Sequence, residues 1–109
     1  ADPMRQMTPR QLSEHLAGND NPPLLLDVRE PWEFDICRLP NATLVPMGRI
    51  MAALGELDRE RETVVICHHG IRSQQVALFL DHQGFSNIIN LSGGVAAWAR
   101  EVDPAMATY

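Results

Sequence analysis

Cysteine is scarce in this chain: Cys37 and Cys67 are the only two among 109 residues. Two thiols cannot make a disulfide scaffold, so in a domain of this size they point to chemistry instead. Basic clusters are absent as well. The nine Lys and Arg residues are spread along the chain and the formal net charge is −5. Without a basic stripe, direct binding to nucleic acid is not expected. No apolar run approaches the roughly 20 residues that cross a bilayer. The first residues, Ala1-Asp2-Pro3-Met4-Arg5-Gln6, contain no apolar signal core. The expectation is a soluble, cytoplasmic protein without a membrane partner. Disorder is not expected either, since 45% of the residues are hydrophobic.

The apolar residues fall into alternating strand and helix patterns. Thr8-Pro9-Arg10-Gln11 reads as a capping box with proline in the first turn. Leu12, His15 and Leu16 then share one helix face. Leu24 to Val28 is a continuous apolar run, the mark of a strand covered on both faces. Pro31 opens a short helix that reaches Ile36, and Thr43 to Val45 is a brief strand. Met47 to Leu57 is expected to be helical, with Ile50, Met51, Leu54 and Leu57 on one side. Thr63 to Cys67 is a second strong strand. Arg72 to Gln83 is an amphipathic helix stopped by Gly84, Asn87 to Leu91 is a further strand, and Gly93 to Val102 is the last helix. Trp32 and Trp98 are both expected in the core, with the border of the pocket as the alternative place for Trp32. Strands that alternate with helices predict an α/β fold with a parallel sheet covered on both faces. Ligands of such sheets sit beyond the carboxyl ends of the strands. Three segments meet at that edge: Asp27-Val28-Arg29, Cys67, and Ser92-Gly93-Gly94.

Val64-Val65-Ile66-Cys67-His68-His69-Gly70-Ile71-Arg72-Ser73 is the most informative stretch. A β-branched run ends in a cysteine, and a tight loop leads into a helix. Backbone N–H groups at a helix start have no intrahelical partner and bind anions. A thiol in such a place loses its proton readily, and the thiolate is the reactive form. Cys67 is therefore the candidate nucleophile. The amides of His68, His69, Gly70, Ile71 and Arg72 can curl toward it as a nest, with Gly70 allowing the unusual backbone angles. Arg72 offers a planar fork for loop carbonyls or an anionic donor. A metal at Cys67-His68-His69 is disfavoured, because adjacent residues rarely aim three ligands at one ion. Asp27 and Arg29 can pair their charges at a strand end, and Glu33 is expected to pair with Arg29 or Arg38.

Four motifs, in order, resemble the rhodanese (sulfurtransferase) family over nearly the whole chain. They are Leu26-Asp27-Val28-Arg29 with Trp32-Glu33-Phe34, Arg38-Leu39-Pro40-Asn41-Ala42, Cys67 to Ser73, and Leu91-Ser92-Gly93-Gly94-Val95-Ala96-Ala97-Trp98. The resemblance implies one rhodanese domain over residues 1–109. It implies a three-layer sandwich with a mostly parallel five-stranded sheet. Cys67 would accept a sulfane sulfur, become a persulfide, and pass the sulfur to cyanide or a protein thiol. His68 to Arg72 would form the substrate loop, with Asp27, Arg29, Arg38 and Ser73 in support. No metal or organic cofactor is implied. The partners would be a small sulfur donor and a thiophilic acceptor, either of which a protein can replace.

Two departures stand out: Cys37-Arg38 replaces the usual Gly-His before the turn, and Asn41 replaces a Gly. Cys37 reads as a filler of a core gap, with a persulfide-resolving thiol as the sharper alternative. Asn tolerates left-handed angles better than most residues. Four residues separate Cys67 from Arg72, whereas phosphatases and arsenate reductases of the same fold have five. The tighter loop suits one sulfur atom rather than a tetrahedral phosphate. The tail from Val102 to Tyr109 resembles the end of rhodanese domains attached to adenylating enzymes, which keeps a sulfur-carrier role open. A non-catalytic binding module is a separate alternative, disfavoured because such modules generally lack the cysteine present here as Cys67.

Overall fold

The computed structural model describes residues 3–109. Five strands form one sheet: β1 (Arg5–Met7), β2 (Leu24–Asp27), β3 (Thr43–Leu44), β4 (Thr63–Ile66) and β5 (Ile88–Leu91). Their order is β1-β5-β4-β2-β3, and every pair is parallel. The helices are α1 (Pro9–Leu16), α2 (Pro31–Ile36), α3 (Ile50–Ala53), α4 (Ile71–His82) and α5 (Gly94–Glu101). This is the expected α/β sheet with helices on both faces. The predicted capping box is present: Thr8 accepts from the Gln11 N–H while Gln11 accepts from the Thr8 N–H.

Strand parity divides the core. Side chains of consecutive strand residues point to opposite faces. Leu25, Val64, Ile66, Ile89 and Leu91 pack with Leu12, Val95 and Trp98 on the side of α1 and α5. Leu26, Val65, Ile88 and Cys67 pack with Ile50, Val76, Ala77, Leu80 and Phe85 on the side of α3 and α4. Every residue of β4 and β5 is buried, as a doubly covered parallel strand must be.

One strand was not expected from the sequence, and two local expectations are corrected. The fifth strand, β1, is a three-residue polar edge element with no apolar run to betray it. Residues 47–56 are not one α-helix. A 3₁₀ turn (Met47–Arg49), α3 and a second 3₁₀ turn (Leu54–Glu56) follow each other. The change of pitch breaks the predicted stripe, so Ile50 is buried while Met51 is 75% exposed. Trp98 is in the core, but Trp32 is 60% exposed. On the short helix α2, Glu33 is the buried residue. One position earlier is about 100° around the helix, and that turns Trp32 outward.

Asn41 is the one non-glycine residue with positive φ among the described residues (65°). This is where the resemblance places a glycine, and the turn keeps its shape with Asn. Among the described residues no helix is long and apolar enough to cross a membrane.

Candidate active site

Cys67 follows directly on β4, at the carboxyl edge of the sheet. Its neighbour β2 brings Asp27 level with Ile66, and the Val28 N–H donates to the Ile66 carbonyl at 2.9 Å. β5 ends beside them. The three segments expected to converge do so because parallel strands in register all end at the same edge.

The Cys67 sulfur is 1% exposed as a residue and sits inside its own loop. The Gly70 N–H donates to Sγ at 3.1 Å and the Ser73 N–H at 3.3 Å. The Cys67 thiol in turn donates to Ser73 Oγ at 3.3 Å. Gly70 takes φ 92°. A Cβ there would also come within 2.9 Å of the Gly93 nitrogen, so glycine is required twice over. Of the five amides expected to curl toward the sulfur as a nest, from His68 to Arg72, Gly70 alone donates to it, and the second donor is Ser73, one residue beyond that stretch.

Two features of this nest were not among the residues expected from the sequence. The first is Asn90. It is buried in the middle of β5, accepts from the Ser73 hydroxyl, and donates to the Gly70 carbonyl (3.2 Å) and to Gln6 Oε1 (2.9 Å). It ties loop, helix α4 and edge strand together. A lone amide within the apolar run Ile88-Ile89-Asn90-Leu91 was the available signal, since buried polar groups need partners. The second is the start of α5. The Val95 N–H donates to the Cys67 carbonyl at 2.9 Å and the Ala96 N–H to the His68 carbonyl at 3.0 Å. The free amides of one helix therefore hold the outer side of the loop. The backbone passes so close at Gly94 that a Cβ would collide with both carbonyls.

Arg72 and Glu33 form a bidentate pair. Arg72 Nη1 and Nη2 reach the two carboxylate oxygens at 2.7 and 2.8 Å. The expected partners of Glu33, Arg29 and Arg38, do not take its carboxylate. Arg29 is fully buried and clasps both oxygens of Asp27 (2.7–3.1 Å). It also donates to the carbonyls of Glu33 (3.3 Å) and Cys37 (2.6 Å). Asp27 and Arg29 thus brace α2 and the turn behind the loop. Arg38 is exposed and lies over the Phe34 ring at 4.6 Å. Helix geometry explains the exchange: Arg72 opens α4 and points across the rim to α2, a partnership between residues 39 apart in sequence.

Tyr109 completes the rim. Its hydroxyl donates to Glu33 Oε2 (2.6 Å) and accepts from Arg29 Nη1 (3.0 Å). Its ring stacks on His68 (3.9 Å between centroids, 13° between planes) and meets Trp32 edge-on at 5.7 Å. Burial, then the bond to Glu33, pushes its phenol up to about 12. Burial and the neighbouring His69 push the His68 imidazole below its ordinary value. His69 and Ile71 are exposed on the loop, and Ser73 is buried beneath it.

Cys37 is buried beside Arg29 in the α1/α5 cluster, and Cys67 belongs to the α3/α4 cluster. The two thiols therefore lie in separate cores on opposite faces of the sheet. This geometry favours the filler reading of Cys37. Among the described residues no group of three His, Cys, Asp or Glu side chains is placed to hold a metal ion.

The Arg72 fork above all, then the Tyr109 hydroxyl and the Glu30 N–H, hold the Glu33 carboxyl at about 2, against an ordinary 4.5. A carboxyl with a lowered value in the folded state adds stability above its unfolded value and loses it as pH falls toward the folded one. The pair is thus expected to contribute fully above about pH 4.5 and to fade toward about pH 2. Urea unfolding at several acidic pH values should show a steeper loss of stability in the wild type than in Glu33→Gln. Equal slopes would mean that the pair is energetically silent.

The rhodanese-like domain family model matches residues 8–101. A sulfurtransferase of Allochromatium vinosum is 35% identical over 104 residues, which cover 95% of this chain and 96% of that protein. A probable adenylyltransferase/sulfurtransferase of Mycobacterium tuberculosis is also 35% identical, over 94% of this chain but only 26% of its own length. The crystal structure of a rhodanese-like domain protein from Staphylococcus aureus superposes with a TM-score of 0.83 at 28% identity, over 97% of this chain and 99% of that one. A parallel sheet of matching shape, a cysteine cradled by amides after its central strand, and a family match spanning nearly all the elements lead to one conclusion: the chain belongs to the rhodanese-like domain family.

Proposed function

We propose that this protein transfers a sulfane sulfur through a persulfide on Cys67. The observation that carries the reading is the nest: two N–H donors and one hydroxyl surround a single buried sulfur atom. In the first half-reaction the Cys67 thiolate attacks the outer sulfur of thiosulfate or of a persulfide. The bond behind that sulfur breaks, and sulfite or a thiol leaves with the electron pair. In the second half-reaction cyanide or an acceptor thiol takes the sulfur and returns the Cys67 thiolate. Amides already aimed at Sγ can stabilise negative charge on sulfur as it develops in the transition state, without reorganising. His68, His69, Gly70, Ile71 and Arg72 form the loop. Ser73 anchors it from below, and Asp27 and Arg29 brace it from behind. Arg38 lies exposed over the Phe34 ring, and its supporting role rests on the resemblance alone.

The relatives support a sulfurtransferase or sulfur-carrier role. The part-length match to an adenylyltransferase/sulfurtransferase favours a second reading, in which Cys67 relays sulfur between proteins. Both readings use the same persulfide. Loading with thiosulfate or a persulfide donor, followed by intact mass measurement, should show one added sulfur of about 32 mass units that cyanide removes. Failure to load from any donor would overturn both.

The crowding of the loop counts against the phosphatase alternative. The loop amides already close on one sulfur, and Gly70 and Gly94 are pinned by neighbouring backbone. Hydrolysis of an aryl phosphate is expected to stay at background under conditions where sulfur transfer is measurable. A clearly faster phosphatase rate would refute this reading of the loop size.

A further inference from the structure

Arg72 is the guanidinium that the loop itself supplies, and it is not free. Both of its terminal nitrogens are engaged by Glu33. Glu33 is buried, and its oxygens also accept from the Glu30 N–H (3.0 Å) and the Tyr109 hydroxyl (2.6 Å). Four donors on one carboxylate leave it no cheap way to release Arg72. The second guanidinium, Arg29, is equally committed, to Asp27 and to two carbonyls. Two guanidiniums matched by two carboxylates sum to no charge. The exposed side chains beside them bring no free positive charge of their own at Ile71, Trp32 and the ring of Tyr109, and Glu30, exposed next to Arg29, is acidic.

We propose that Glu33 sets the charge of the sulfur donor: by closing a pair with Arg72 it disfavours dianionic thiosulfate and suits the site to a sulfane sulfur carried on an organic thiol. This rests on the sulfur-transfer reading above and narrows its donor class. With thiosulfate, the Cys67 thiolate attacks the outer sulfur, the S–S bond breaks, and sulfite departs with the electron pair. With an organic persulfide, the same attack on the outer sulfur expels a thiolate. Either route leaves the sulfur on Cys67 and needs no further oxidant or reductant. Only thiosulfate must bring two negative charges to the rim. A dianion that approaches a closed ion pair loses hydration and gains no unopposed positive charge.

The test compares thiosulfate with methanethiosulfonate. The two present the same outer sulfur to attack, and methanethiosulfonate carries one charge fewer. Steady-state rates with cyanide as acceptor give kcat/KM for each donor in the wild type and in Glu33→Gln. The variant leaves Arg72 unopposed. Its thiosulfate-to-methanethiosulfonate ratio of kcat/KM is expected to rise about tenfold or more, chiefly through the KM for thiosulfate, and to fall back as salt is added. Tyr109→Phe keeps the carboxylate and removes one of its donors, so its ratio should stay within about twofold of the wild type. Should Glu33→Gln not fold, Ile71→Lys adds a free cation at an exposed position and is expected to raise the same ratio. An unchanged or lowered ratio in a folded variant overturns the proposal, as does an equal loss with both donors, which would make Glu33 purely structural. A wild type that takes sulfur from neither donor overturns the sulfur-transfer reading instead, so the two failures are distinguishable.

Discussion

Serine in place of Cys67 is expected to end sulfur loading altogether and to lower thiocyanate production by about three orders of magnitude or more. The reason is chemical. A serine hydroxyl is not ionised near neutral pH, and an oxygen cannot hold a sulfane sulfur as a persulfide does. The substitution is close to isosteric, and the Gly70 and Ser73 amides can donate to Oγ as they do to Sγ. The fold should therefore survive, and thermal melts of the two proteins should nearly coincide. Intact mass measurement after thiosulfate or persulfide treatment is the direct check. Cys37 is the only other thiol in the sequence. Cys37→Ala should keep the adduct, since that side chain lies in the core on the opposite face of the sheet from Cys67. Loading retained in Cys67→Ser would move the carrier to Cys37 and sink the assignment.

Alanine in place of Gly94 is expected to cost about 4 kcal/mol or more of stability and to remove activity even where the protein still folds. Gly94 has φ 60°, where an L side chain is already strained by about 1–2 kcal/mol. Collision costs more than this strain. The new Cβ would run into the Cys67 and His68 carbonyls. These are backbone atoms that cannot swing aside as a flexible side chain can. Relief would require the active loop to move away from α5, breaking the Val95-to-Cys67 and Ala96-to-His68 hydrogen bonds. Denaturant unfolding measures the first effect, and sulfur transfer by the folded fraction measures the second. A Gly94→Ala protein with wild-type stability and turnover would show that the loop has room the geometry denies it.

Whatever depends on neighbours in the chain is legible in the sequence. Doubly buried strands read as apolar runs at Leu24 to Asp27 and Thr63 to Ile66. The first cap reads as Thr8 with Gln11. The nucleophile reads as a cysteine set between a β-branched run and a helix start, with Gly70 and Arg72 at fixed offsets. From the alternation of strands and helices follow the parallel sheet and the edge where Asp27, Cys67 and Gly93 meet. Local rules also err locally: the stripe through Met51 assumes one helical pitch, and size alone places Trp32 inward. The edge strand Arg5–Met7 carries no signal, because its order comes from pairing with β5 rather than from its own residues.

Which charged partners meet, and which thiols do not, follows from the assembled fold alone. Arg72 could have held loop carbonyls or a donor, and it holds Glu33, 39 residues away. Tyr109 reaches that same carboxylate across 76 residues, and the amides of α5 fasten the outside of the loop. Cys37 and Cys67 both flank rim motifs, yet they pack in different core clusters. Such pairings are settled by where the sheet brings distant segments together. A buried carboxylate or carbonyl must then find a donor among whatever has arrived there. Hydrophobic period and capping chemistry are properties of a few consecutive residues, and these pairings are properties of the assembled sheet.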